Sequence, residues 1–159
     1  MPLNRLRIFL DSHNIKYIVI SHSLAYTAQG IAALAHIPGK ELAKTVVVNL
    51  DGNLAMAVVP ASCQVDLNLL RGVSGAKTVV LASEMEFRNQ FPDCETGAMP
   101  PFGNLYHMPI FADESLAQDK EISFNAGSHR ELIQMAWKDY VELVQPQIVR
   151  LVRPSERAA

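Results

Sequence analysis

The chain has 159 residues, 49% of them hydrophobic and 19% charged, with a net charge of −2 at neutral pH. This is enough for one domain with its own core and too little for two. A balance so close to neutral excludes a broad basic face, so any contact with nucleic-acid phosphates is confined to a small basic rim.

In the N-terminal stretch MPLNRLRIFLDSHNIKY, Leu3, Leu6, Ile8, Phe9 and Leu10 form a helical stripe that is expected to end near His13 and Asn14. Asn4, Arg5, Arg7 and Asp11 break its apolar run, so neither a signal peptide nor a membrane span is expected. KYIVIS follows as a strand. Thr27 is placed to cap a helix over AQGIAALAHI, which stops before Pro38-Gly39. LAKTVVVNL and NLAMAVVPA flank Asp51-Gly52 and read as a β-hairpin. Asp66 caps a short helix, DLNLLRGV. KTVVLA is a strand, and SEMEFRNQF is a helix whose Ser83 and Glu86 form a capping box. After a proline-rich loop, YHMPIFAD and EISFNAG read as strands.

For HRELIQMAWKDYVELVQP the periodicity allows two readings. One is a single long helix capped by Ser128; the other is a short strand over residues 131–136 followed by a helix to Val144. Hairpin connections among mixed elements rule out a purely parallel sheet and favour a compact α+β or mixed α/β domain. The domain is expected to span residues 1–152, with residues 153–159, RPSERAA, as a disordered tail.

Three places hold candidate chemistry. Lys44 opens the strand KTVVV. Val46 and Val48 share its face and Thr45 and Val47 the other, so the strand is central, and the lysine either snorkels to solvent or sits at a pocket. The segment GAMPPFGNLY, residues 97–106, is the most informative. Pro101 pushes Pro100 into an extended conformation, neither proline donates a backbone N–H, and Gly97 and Gly103 allow angles or approaches that other residues resist. Such a loop is either a rigid rim that grips a small ligand through backbone groups, or a structural turn with Phe102 plugging the core. Ser128-His129, after Asn125-Ala126-Gly127, marks either a turn with outward-facing amides or a plain connection.

His13, His22, His36, His107 and His129 form no HExxH motif or paired ligand spacing, and no metal site is expected. Cys63 and Cys94 form no CxxC and are read as free thiols in a reducing cytoplasm. There is no GxSxG elbow and no phosphate-binding P-loop. Arg150, Arg153 and Arg157 are either a basic rim or a solvated tail.

Lys44, the GAMPPFG loop and the FNAGSH turn, in that order, closely resemble the YbaK/prolyl-tRNA synthetase-associated domain family. Its members deacylate mischarged tRNA, either free-standing or inserted in a synthetase. SHSLAYTAQGIAALAHIPGKELAKTVVV is similar to the family's N-terminal helix and lysine-bearing strand, DCETGAMPPFG to its glycine-to-proline loop, and the likeness covers nearly the whole chain. It implies an α+β fold around a mixed, strongly curved sheet with helices packed outside it, and it favours the strand-then-helix reading of the last segment.

The resemblance also implies hydrolysis of the ester between a wrong amino acid and the tRNA 3′-terminal ribose, with no cofactor. An aminoacyl ester is already activated, so a bound water, oxyanion donors and good positioning suffice. In the implied site Lys44 holds the terminal adenosine or its phosphate and polarises the reacting end. Backbone groups near Gly97 bracket the aminoacyl carbonyl and amine, and His129 with Gly127 forms the opposite wall. Thr45, Pro100, Pro101, Phe102, Gly103, Asn125 and Ser128 complete the implied substrate-binding set. The implied partners are the acceptor end of a mischarged tRNA and a synthetase, in the cytoplasm and away from membranes.

Two departures bear on the substrate. The chain has Lys44-Thr45 where the alanine-specific branch tends to Lys-Asn, and Asn104-Leu105-Tyr106 where the cysteine-editing branch tends to a lysine-rich stretch. Alanine, serine, cysteine and threonine all stay open as the edited amino acid. The alternatives to an editing hydrolase are a tRNA- or synthetase-binding module of the same fold that has lost the reaction, and a metal-dependent hydrolase built on scattered histidines.

Overall fold

A computed structural model of the chain describes residues 3–21 and 42–153. The expected helix after Thr27, His22 and His36, and residues 154–159 of the expected tail lie outside the described residues. In chain order the helices and strands are α1 (Asn4–Ser12), β1 (Tyr17–Ser21), β2 (Ala43–Leu50), β3 (Asn53–Pro60), α2 (Leu67–Ser74), β4 (Val79–Leu81), α3 (Glu84–Phe87), β5 (Ile110–Asp113), β6 (Glu121–Asn125), β7 (Glu131–Ala136), α4 (Trp137–Val144) and β8 (Gln147–Val149).

The β2–β3 hairpin is the local unit on which the larger sheet is laid. Asp51 and Gly52 both take left-handed angles, φ 52° and φ 94°, as a two-residue turn between twisted strands requires. The Asp51 carboxylate accepts from the N–H groups of Lys77 and Thr78. That bond leads the chain into β4, which pairs with the end of β2 next to the turn, Val48 to Leu50. The resulting five-stranded sheet has the order β4-β2-β3-β5-β8. Its first two pairings are antiparallel and its last two parallel.

β1, β7 and β6 form a separate antiparallel sheet in that order. A parallel bridge between Leu42 and Ser123 joins the two sheets at one corner. The expected α+β fold is present, and its curved sheet is divided in two parts that meet at this bridge.

The main core fills the space between the sheets. Leu6 and Leu10 of α1, Met56, Phe102, Phe124, Ile133 and Tyr140 are all fully buried there. A second cluster covers the other face of the five-stranded sheet, with Val48, Ala57, Val59, Leu70, Phe111, Leu151 and Val152. Each such aliphatic or aromatic side chain contributes roughly 1.5–3 kcal/mol by leaving water. Cover on both faces explains why β3 reads as a continuous apolar run instead of an alternating one.

The ambiguous last segment is a strand and then a helix. Ile133 and Met135 point into the main core from β7, and the helix starts after Ala136, not after Ser128. Periodicity alone left this open because so short a segment, Leu132 to Ala136, fits either period.

β8 has no counterpart among the expected elements. It is held by a buried carboxylate: Asp113 Oδ1 accepts from Leu151 N at 2.7 Å and Val152 N at 3.2 Å, and Oδ2 from Ser115 N at 3.0 Å and the Ser115 hydroxyl. A second tie runs through Asp66. It caps α2 through the N–H groups of Asn68 and Leu69, donates its own N–H to Leu151 O, and meets Arg153 Nε at 3.1 Å.

Asp113→Ala is expected to lower the unfolding free energy by about 3 kcal/mol or more, because each buried N–H left without a partner costs about 1–3 kcal/mol. Urea denaturation measures it, and a loss of a few tenths of a kcal/mol would show that the C-terminal segment is held some other way. The Asp66 carboxyl is kept below its ordinary range first by the Leu69 N–H and then by the Arg153 guanidinium. A lowered folded pKa contributes stability above the unfolded pKa, near about 4, and that contribution fades as pH falls through the folded value. The melting temperatures of wild type and Asp66→Asn are therefore expected to differ at neutral pH and to converge below about pH 4; a gap that does not change with pH would refute this.

Candidate active site

The pleat of β2 sends Ala43 and Val47 into the core between the sheets, and Val48 with Val46 into the outer cluster. Alternation therefore places Lys44, paired with Val59, on the outer face and Thr45, paired with Val58, on the inner one. Both are half-buried. The strand is central, with β3 on one side and β4 on the other.

β2 and β6 run in the same direction through the Leu42–Ser123 bridge and stay in contact. Lys44 and Asn125 each lie two residues beyond it, so they stand on neighbouring strands. Ile122 and Phe124 of β6 point into the main core, which leaves Ser123 and Asn125 on the face that carries Lys44. The site begins here, where the two sheets part.

Past Asn125 the chain turns into β7, and Ala126 N closes the turn on Glu131 O. This turn is bonded to the segment that enters the proline loop. Glu95 N donates to Gly127 O at 2.8 Å, and Gly127 N to Ala98 O at 3.0 Å. His129 adds two bonds: its backbone N–H donates to Glu95 Oε1 at 3.1 Å, and its Nε2 lies 2.7 Å from Thr96 O. A carbonyl only accepts, so Nε2 carries a proton and donates it to this bond. Gly97 sits directly against this ring. Its φ is 85°, and a β-carbon there would stand 3.4 Å from His129 Cε1. The Ser128 hydroxyl accepts from Arg130 N at 3.3 Å.

The second half of the proline loop is anchored in the core. Phe102 is fully buried, edge-on to Phe124 and Tyr140 at 5.4 and 5.5 Å between ring centres. Tyr140 Oη donates to Pro101 O at 2.7 Å, and burial pushes this phenol far above its ordinary range, so it stays a neutral donor. Phe102 N donates to Pro100 O. Gly103 has no room for a side chain: a β-carbon would overlap Met108 O and Ile110 Cγ1. Of the two readings of the loop, residues 100–103 follow the core plug and residues 97–99 the rim. Gly97 and Met99 donate no backbone hydrogen bond among the described residues.

The structure thus gathers Gly97, Asn125, Gly127, Ser128 and His129, and sets Lys44 on the strand beside Asn125. Pro100, Pro101, Phe102 and Gly103 form the support beneath the rim, and Thr45 lies on the opposite face of β2 from Lys44. Cys94 is near the site, 3.5 Å from Tyr106 Oη, but burial raises its thiol above the ordinary range, so it is no thiolate nucleophile at neutral pH.

Glu95, Thr96 and Ser123 escaped the sequence reading. Nothing local marks Glu95 or Thr96, because their partner His129 is more than thirty residues away. Ser123 did leave a signal: EISFN alternates Ile122 and Phe124 with Ser123 and Asn125, two polar residues on one side of a buried strand.

Gly97→Ala is expected to cost about 1 kcal/mol of stability through its left-handed backbone angle, while its β-carbon meets the His129 ring at an ordinary contact distance. Thermal melting checks this; a variant that melts like wild type would show that Gly97 is not constrained in this way.

Residues 22–143 match the aminoacyl-tRNA editing domain family. Over 154 residues the chain is 27% identical to the multifunctional Ser/Thr-tRNA deacylase ProXp-y of Escherichia coli strain K12, across 94% of this chain and 92% of that protein. A stretch of 87 residues is 29% identical to the proline–tRNA ligase of Bacillus mycoides strain KBAB4, across 55% of this chain and 15% of the ligase. Among solved structures, a candidate trans-editing enzyme for prolyl tRNA synthetase superposes with a TM-score of 0.81 at 21% identity, covering 95% of this chain and 96% of the other. A protein described only as hypothetical reaches 0.84 at 18% identity, covering 94% and 100%. These structural likenesses bear on the fold. The family match runs through the lysine-bearing strand, the glycine rim and the histidine turn alike, and the chain belongs to the aminoacyl-tRNA editing domain family, a family of deacylases.

Proposed function

We propose that the chain is a trans-editing deacylase that removes serine or threonine wrongly joined to a tRNA by hydrolysing the ester at the 3′-terminal ribose. The observation that carries this reading is the rim at Gly97 facing His129, next to the strand pair that holds Lys44 and Asn125. The choice of hydroxyl-bearing amino acids is supported by the Ser/Thr-tRNA activity of the Escherichia coli relative. A synthetase partner is supported by the likeness to part of a proline–tRNA ligase. We place the reaction in the cytoplasm, where tRNA is charged; no helix among the described residues is long and apolar enough to cross a membrane.

The ester carbonyl is electrophilic already, so the protein's task is to position it and to stabilise the oxyanion. The N–H groups of Gly97 and Met99 supply donors on a rim that the buried Phe102 keeps rigid. A preorganised donor of this kind contributes about 10²–10³ in rate. The Lys44 ammonium holds the terminal phosphate or adenosine as a compact point charge. His129, its Nε2–H committed to Thr96 O, closes the opposite wall. Water is the nucleophile, and the tRNA ribose is the leaving group.

The test is deacylation by the purified protein of tRNAs charged with serine, threonine, alanine or cysteine. Seryl and threonyl esters are expected to be cleaved at least about tenfold faster than the others, a ratio within reach of pocket discrimination. Absence of turnover on every ester would overturn the proposal. Lys44→Ala is expected to lower the rate by about 100-fold or more while leaving the melting temperature within a few degrees, and Lys44→Arg to lose activity too, because a planar fork does not replace an ammonium. A folded Lys44→Ala enzyme with full turnover would remove the lysine from the mechanism.

A further inference from the structure

We infer that Ser123 determines specificity at this site: its hydroxyl recognises the side-chain hydroxyl of the serine or threonine carried by the tRNA. This rests on the deacylase reading and assigns the amino-acid subsite within it. Ser123 is completely buried, and its Oγ has no hydrogen-bond partner among the described residues. The same holds for Oδ1 of Asn125, whose residue is 7% exposed.

Folded proteins leave few buried polar atoms without partners, because the lost hydration is not replaced. Two such atoms, two residues apart on one face of a five-residue strand, are unusual in a protein of this size. A ligand that supplies the missing bonds accounts for both.

Their place in the fold points to which part of the substrate they meet. Asn125 stands beside Lys44, at the level where the sheets part, and Ser123 lies one pleat deeper, about 6–7 Å down the strand. The terminal ribose and phosphate meet Lys44 at the upper level, so the aminoacyl side chain extends down towards Ser123. The flanks there are Leu42, which bridges to Ser123 on one side, and on the other Gln134 and Leu132, which pair with Ser123 and Asn125; both leucines are fully buried and Gln134 is half-buried.

A subsite between two buried leucines, with two unpartnered hydrogen-bonding atoms, fits a short side chain that bears one hydroxyl. The substrate hydroxyl donates to Asn125 Oδ1 and accepts from the Ser123 O–H, so all three groups gain partners at once. An alanyl ester leaves both protein atoms unpaired. Discrimination by a missing partner is far stronger than discrimination by volume alone.

The experiment compares wild type and Ser123→Ala in two ways: single-turnover deacylation of seryl-, threonyl- and alanyl-tRNA, and melting temperature without tRNA. The seryl-to-alanyl rate ratio is expected to fall at least about tenfold in the variant. The variant is expected to melt no lower than wild type, since it loses a buried hydroxyl that lacks a partner. An equal fall of all three rates, or a melting temperature lower by several degrees, would overturn the assignment by showing Ser123 to be a general structural residue. Absence of turnover by wild type on all three esters would overturn the deacylase reading and the subsite with it, while the melting comparison still reports on the unpartnered hydroxyl.

Discussion

Two irregular segments, residues 95–98 and 126–129, hydrogen-bond to each other, and the geometry of the site depends on that exchange. Neither belongs to a helix or a strand, so their backbone groups have no ladder to join. Buried N–H and C=O groups must find partners somewhere. Here Glu95 N meets Gly127 O, Gly127 N meets Ala98 O, and Ala98 N returns to Glu95 O. The His129 ring completes the set through Thr96 O. β6 and β7 hold one segment from behind, and Phe102, set among Phe9, Phe124 and Tyr140, holds the other from below. The donors of the rim therefore have fixed directions before any substrate arrives, which is the condition for electrostatic stabilisation without reorganisation.

The sheet topology sets what stands beside the rim. Among the described residues one parallel bridge, Leu42 to Ser123, joins the five-stranded and three-stranded sheets, and β2 and β6 stay in contact around it. Side chains of both strands therefore lie on a shared face that the main core does not use. Lys44 brings positive charge to that face, and Asn125 and Ser123 bring polarity. Lys44 is thus the one charged residue of β2, a strand otherwise built of apolar residues, one threonine and one asparagine.

Electrostatics elsewhere are spent on the fold. Arg153 is bonded to Asp66, whose capping of α2 and contact with Leu151 O tie the end of the chain to the five-stranded sheet. Arg150 lies 3.9 Å from Glu114, both about half exposed, and such a pair is worth little in water. Arg153 therefore serves the domain itself, whereas Arg150 contributes little to it. With a net charge of −2, few cationic groups are left over for phosphates, so the proposed activity calls for a tRNA contact confined to the acceptor end.

The sequence by itself determined the features whose causes are local. The β2–β3 hairpin follows from Asp51-Gly52 between two apolar runs, the cap of α2 from Asp66, and the start of α3 from Ser83 and Glu86, because each needs only residues within a turn of one another. Lys44 and the glycine–proline loop stood out through residue type and order. Tertiary structure decided what depends on distant partners. LIQMA became a strand because β1 and β6 stood ready to pair with it on both sides. β8 exists because Asp113, an ordinary strand-end residue to the eye, is buried and takes two N–H groups from the end of the chain. The split of one loop into a rim and a plug, the opposite faces of Lys44 and Thr45, and the bonding of His129 to Glu95 and Thr96 were hidden for the same reason. Periodicity and turn chemistry act over a few residues, whereas burial and hydrogen-bond pairing across more than thirty residues exist only once the chain has folded.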